Sequence, residues 1–190
     1  MKWMLVKNFP CRFCKDVVAF RGRFYASVII RNIVVIDPYS LEVTPLMHLQ
    51  PLPSQKSLIP CGNDELFLVE KMLAHTGGVS KFRRIISRVS RLDEEAGKWV
   101  VVSDLGGRVL FINHRHLGNV SCSANELPDG CGVSGNSILF NFRLGDGSFF
   151  FKYGVHTGFD EDNLSFWRLS RENPVTILSK SPVLALRVKL

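Results

Sequence analysis

Apolar residues along this chain of 190 residues come in short runs separated by turn-forming residues, and the runs predict strands. Val17 to Leu46 is rich in β-branched and aromatic side chains and is broken at Arg21-Gly22, at Arg31-Asn32 and at Asp37-Pro38-Tyr39-Ser40. Gly, Asn, Asp and Pro supply turn geometry, so four short strands are expected there. Pro45, Pro51, Pro53 and Pro60 then predict a surface connector from Met47 to Gly62, because proline cannot donate to a ladder. Glu65 to Leu73 resumes the apolar pattern, Ala74 to Gly78 closes it, and Lys81 to Leu92 is a longer extended segment. Val89 to Ile112 reads strand, turn, strand, turn, strand, with Glu94-Glu95-Ala96-Gly97 as its first turn and Trp99 opening the second run. A small-residue stretch through Gly135 follows, with Pro128-Asp129-Gly130 as a turn. Ser137 to Phe142 and Ser148 to Tyr153 predict a hairpin around Gly145-Asp146-Gly147. Phe166 to Leu169, Val175 to Leu178 and Val183 to Val188 suggest three closing strands, and no long helical pattern interrupts the series.

A weak repeat runs through these strands. A glycine-led turn precedes an aromatic-containing strand at Gly22, Gly62, Gly106 and Gly135, and two of the three intervals lie near the roughly 40–50 residues of a propeller blade. The fold class expected is therefore all-β, a partial or small kelch-like β-propeller of about four blades with antiparallel sheets. Residues 1–14 read as a leader and 15–190 as the propeller-like domain, whole or cut short. A non-repeating sandwich with glycine turns is the alternative.

Composition narrows the class of job. With 46% hydrophobic and 22% charged residues the chain has the makings of a packed core, and disorder is excluded. The formal charge is +7, which suits nucleic acid or acidic partners but also serves solubility alone. Lys2 is followed by four apolar residues before Lys7, short of the roughly 7–15 of a signal-peptide core. No run approaches the roughly 18 apolar residues of a membrane helix. An intracellular protein of cytoplasm or nucleus is expected, with no membrane contact. Five cysteines without an export signal read as reduced thiols.

Candidate chemistry is sparse. Cys11-Arg-Phe-Cys14 has the spacing of half a zinc site or of a redox pair, with Cys61, Cys122, Cys131 and the His114/His116 pair as the remaining donors for zinc, yet no second CxxC exists. Lys81, Arg83, Arg84, Arg88 and Arg91 form a basic run without an acid, and Lys81, Arg83 and Arg91 share one face of an extended strand. That run supports the alternative of a basic nucleic-acid-binding β domain; an exposed strand face is the plainer reading. Trp99 and Phe111 read as structural anchors of the core. His114, Arg115 and His116 are polar, grouped and placed after a strand, which makes them candidate partner contacts. No catalytic residue, metal site or cofactor is assigned; a metal-dependent enzyme or a truncated, non-functional paralogue stays as a further alternative.

The segment Asp16-Val-Val-Ala-Phe-Arg-Gly-Arg-Phe-Tyr-Ala26, followed by Val34-Val-Ile-Asp37, resembles the opening blade motif of the plant F-box-associated, or KIB-type, β-propeller family. Val89-x-x-Leu-Asp93, Gly97-Lys-Trp99, Asp104 to Phe111 and Gly135-Asn-Ser-Ile-Leu-Phe140 match its later motifs in order, and the resemblance covers Lys15 to Leu178. It departs from the pattern at Gly107, where the family usually carries an acidic residue. The resemblance implies a non-enzymatic protein-interaction module, similar to the substrate-recognition domain of F-box ubiquitin-ligase receptors. Sixteen residues precede Val17, too few for a helical F-box, so this stretch is expected to bind a protein partner and not the adaptor of a cullin-type ligase.

Overall fold

The structure is a computed structural model, and it describes residues 6, 9–10, 14–28, 33–46, 54–74, 84–113, 118–127, 129, 133–144, 147–154, 167–168 and 176–177. Among them the regular elements are strands, apart from one 3-10 turn at Ala124–Glu126. The chain divides into two compact units.

The first unit, Met1–Met72 with Arg88–Val102, opens with an antiparallel sheet of β1 (Cys14–Phe20), β2 (Arg23–Val28), β3 (Ile33–Ile36) and β4 (Val43–Leu46), paired in chain order. The four strands fall between the breaks that the sequence marks. A second sheet holds β5 (Gln55–Cys61), β6 (Glu65–Ala74), β7 (Arg84–Asp93) and β8 (Lys98–Val101), again in chain order. The expected connector from Met47 to Gly62 is thus corrected, since its second half is strand β5 with Leu58, Ile59 and Cys61 buried. Pro60 is tolerated because β5 is an edge strand, where one row of amides has no ladder to join. Pro45 occupies the edge strand β4 for the same reason.

Side chains alternate across these strands, so each sheet offers two faces. One face of the first sheet sends Phe20, Tyr25 and Ile33 against Leu58, Leu66, Leu68, Leu92 and Trp99 of the second. Phe20 and Tyr25 meet edge to face, with ring centroids 6.0 Å apart. The opposite face of the first sheet carries Ala26, Val28 and Val34, packed with Phe9, Ile36 and Val43. Every residue from Tyr25 to Val28 and from Leu66 to Val69 is buried, so both faces of those stretches of β2 and β6 are covered.

The second unit, Leu73–Ser87 with Ser103–Leu190, contains a sheet in the order β10-β9-β11-β12, formed by β9 (Arg108–Ile112), β10 (Val120–Ser123), β11 (Ser137–Leu144) and β12 (Gly147–Gly154). The predicted hairpin at Gly145-Asp146-Gly147 is present as β11–β12. Two readings change. Strand β10 lies inside the small-residue stretch, and β11 joins β9 in parallel, so this sheet is not a purely antiparallel meander. Val89 to Ile112 is also not one blade, because β7 and β8 end the second sheet while β9 begins the third.

A close backbone approach fixes the start of β11. A Cβ added at Gly135 would lie 2.8 Å from the Gly107 Cα, and Gly107 itself has φ of +75°. Gly107 O accepts the amide of Ala124 at 3.1 Å, and Asn136 Oδ1 accepts the amide of Leu105 at 2.7 Å. At the position where the family usually has an acid, the backbone conformation favours glycine. Short β13 (Trp167–Arg168) and β14 (Thr176–Ile177) pair antiparallel, at two of the three places where closing strands are expected; Val183 to Val188 lies outside the described residues.

Candidate interaction site

Antiparallel pairing in chain order places alternate turns of a meander at the same end. In the first sheet the β1–β2 turn (Arg21-Gly22) and the β3–β4 turn (Asp37 to Glu42) share one end, since Phe20 pairs with Arg23 and Ile36 with Val43. The β5–β6 turn (Gly62 to Asp64) and the β7–β8 turn (Glu94 to Gly97) come to that end too, and Arg21 ties them together. Its Nε donates to Asn63 O at 2.8 Å, its Nη2 to Asp64 O at 3.2 Å and its Nη1 to Glu94 Oε2 at 2.5 Å.

Arg21 itself sits at φ of 45° beside Gly22 at 73°, the pair of positive φ values that a type I′ hairpin turn demands. The guanidinium also lies 5.4 Å from the centroid of the Phe20 ring. Because half of the Arg21 side chain is exposed, its ion pair with Glu94 contributes little stability and acts mainly to set geometry. Glu94 uses its other oxygen to accept the Tyr25 hydroxyl at 3.2 Å. Burial, reinforced by the adjacent Glu94 charge, pushes the Tyr25 phenol up to about 12.

The β1–β2, β5–β6 and β7–β8 turns border a cleft of about 400 Å³ floored by Phe20 and Leu92. Five carboxylates line it, those of Asp64, Glu65, Asp93, Glu94 and Glu95, against two guanidiniums, Arg21 and Arg91. Arg91 is paired with Glu65 at 3.1 Å. The cleft is therefore acidic although the whole chain carries +7. Geometry of this kind, mixed charge over an apolar floor, can bind a polar surface.

A second charge cluster is built into the other part of the same sheet. Glu70, whose side chain is fully buried, faces Lys56 at 3.4 Å and the Arg88 guanidinium at 2.5 Å, and Ser54 Oγ donates to it at 3.3 Å. Two members of the basic run thus meet carboxylates of β6, Arg88 with Glu70 and Arg91 with Glu65, and of the three expected on one strand face Arg91 is described and exposed. Lys81 and Arg83 lie outside the described residues.

His114, Arg115 and His116 also lie outside the described residues. The neck of their β9–β10 connection is described: Asn113 Nδ2 donates to Gly118 O at 2.6 Å and the Asn113 amide to Asn119 Oδ1 at 3.2 Å. Trp99 is fully buried against the first sheet, and Phe111 is partly buried in β9. Cys14 is exposed, Cys61 buried and Cys122 intermediate, while Cys11 and Cys131 are outside the described residues. Among the described residues no group of three or more His, Cys, Asp or Glu could hold a metal ion, and no helix is long and apolar enough to cross a membrane. The residues that sequence reasoning passed over are Arg21, Tyr25 and Glu94; the only signal was that Arg21 and Glu94 stand in predicted turns.

Comparison with known proteins gives the same architecture. The KIB1-4 beta-propeller family profile matches residues 1–168. The chain is 58% identical over its full length to the F-box/kelch-repeat protein At1g64840 of Arabidopsis thaliana, covering 49% of that protein. It is 48% identical to the F-box/kelch-repeat protein At2g24250 of the same plant, covering 47% of it. A third relative, the F-box protein SKIP23 of Arabidopsis thaliana, is 28% identical over 76% of this chain. The chain spans about half the length of the first two.

Proposed function

Since the chain belongs to the KIB1-4 β-propeller family, we propose that it is a non-enzymatic recognition module that binds a protein partner through the turns gathered at one end of β1–β8. It serves, in this reading, as the substrate-recognition part of an F-box type ubiquitin-ligase receptor, acting in cytoplasm or nucleus, and makes or breaks no bond itself. One observation carries the reading: Arg21 binds the β5–β6 and β7–β8 turns at once, so that loops far apart in sequence form one prearranged surface. Prearrangement lowers the ordering cost of association. The F-box in the names of the relatives supports the ligase assignment.

Site-directed photo-crosslinking in plant cells tests it. A photoreactive residue at Glu95, exposed in the β7–β8 turn, should give an adduct with a discrete protein, whereas the same residue at Gln55, exposed at the start of β5, should not. The half-life of the captured protein should lengthen when this chain is depleted. Absence of an adduct at Glu95, or equal adducts at both positions, contradicts the proposed surface.

A further inference from the structure

We infer that the β3–β4 turn carries the anchor of the recognition surface, with Tyr39 as the side chain that enters an apolar pocket on a partner protein whose rim is basic. The inference rests on the interaction reading above and adds the residue and the partner's chemistry. Tyr39 is 93% exposed, in a sheet whose other tyrosine, Tyr25, is 2% exposed. A single exposed aromatic is common on protein surfaces. This one differs in how its backbone is held.

Asp37 Oδ1 accepts the amides of Tyr39 at 2.9 Å and Ser40 at 2.8 Å. The Leu41 amide returns to Asp37 O at 2.9 Å, the Asp37 amide reaches Glu42 O at 3.1 Å, and Ser40 Oγ accepts the Glu42 amide at 3.2 Å. Leu41 closes the turn at φ of 59°. With five hydrogen bonds across six residues, the tip has little backbone freedom left to lose when it binds. Tyrosine adds a large, stiff side chain with two rotatable angles and a hydroxyl at its end, the properties that make it frequent among the residues dominating interfaces.

The surroundings specify the partner. Strand register sets this turn at the same end as the Arg21-Gly22 turn, and Phe24, 42% exposed, pairs with Ile36 directly below it. Asp37 and Glu42 lie on the turn itself, and the acidic cleft opens at the same end. An aromatic knob flanked by Asp37 and Glu42 of its own turn matches an apolar hollow edged with Lys or Arg, and repels an acidic one.

Selection of a phage library of random disulfide-closed peptides against the purified full chain provides the probe. Selected peptides should combine apolar and Lys or Arg residues. Their affinity should fall by more than about tenfold on Tyr39→Ala and less than about threefold on Tyr39→Phe. Asp37→Ala, which keeps the aromatic but frees the turn, should give an intermediate loss. An unchanged unfolding midpoint for Tyr39→Ala keeps the comparison clean, as expected for so exposed a side chain. Peptides that bind Tyr39→Ala as well as the parent, or a selection that enriches nothing over an unrelated β-protein, overturn the inference. If Glu95 still cross-links a partner in that event, the recognition surface stands and only its anchor is wrong; if both fail, the interaction reading falls as well.

Discussion

The Tyr25 hydroxyl in β2 donates to Glu94 Oε1 in the β7–β8 turn at 3.2 Å, joining two sheets through residues 69 positions apart. The phenol is held neutral by burial first and by Glu94 second, with its titration raised from 10.0 to about 12. A group whose titration is raised on folding contributes stability that is present below the unfolded value and lost as pH rises through the folded one. Folding stability should therefore fall between pH 10 and about 12, by up to about 3 kcal/mol for a shift of this size. Tyrosinate absorbance should show Tyr25 ionising late, and Tyr25→Phe should flatten the alkaline loss measured by denaturant unfolding.

Removing Glu70 strands two cations in a buried site. Glu70→Ala should destabilise by about 3–5 kcal/mol, because breaking a buried ionic cluster leaves its partners uncompensated. Replacing Lys56, Glu70 and Arg88 together by methionines should cost much less than the single change. A triple variant as unstable as Glu70→Ala would show that the charges themselves hold β5, β6 and β7 in place.

Trp99→Ala should cost about 3–5 kcal/mol, as expected for deleting a fully buried aromatic. The indole Nε1 is buried and has no hydrogen-bond partner among the described residues. Trp99→Phe, which removes that desolvated donor along with some volume, should recover a large part of the loss. Urea midpoints of the two variants check this; equal midpoints would mean that the aromatic volume kept by phenylalanine restores nothing at this site.

Gly135→Ala places a methyl group 2.8 Å from the Gly107 Cα, so backbone must move. A loss of about 1–3 kcal/mol is expected. Gly107→Ala meets nothing within 4 Å but is strained at φ of +75°, for about 1–2 kcal/mol. Thermal unfolding of both separates contact from conformation, and a neutral Gly135→Ala would remove the close approach as a reason for that glycine.

Much of the fold is legible in the chain because strand propensity, alternation and turn chemistry are local. Arg21-Gly22 and Gly145 to Gly147 mark hairpin turns by residue type alone, and the strands on either side of each follow. The repeat between Gly22 and Gly62 marks the equivalent turns of the first two sheets. Strand β5 escapes this reading because Pro60 speaks against a central strand, and only the sheet order reveals an edge position. Strand β10, with Ser121, Cys122 and Ser123, lacks the apolar run that would announce it; pairing with β9 makes it a strand.

By itself the sequence determines an all-β chain of short strands, the positions of most turns and a family whose motifs recur in order. The site is different in kind. Arg21 meets Asn63 and Glu94 at separations of 42 and 73 residues, and Arg88 finds Glu70 only because β6 and β7 are neighbours. Backbone preference acts within a few residues, whereas ion pairs and clefts depend on which strands lie side by side, and that is settled by burying apolar faces against one another.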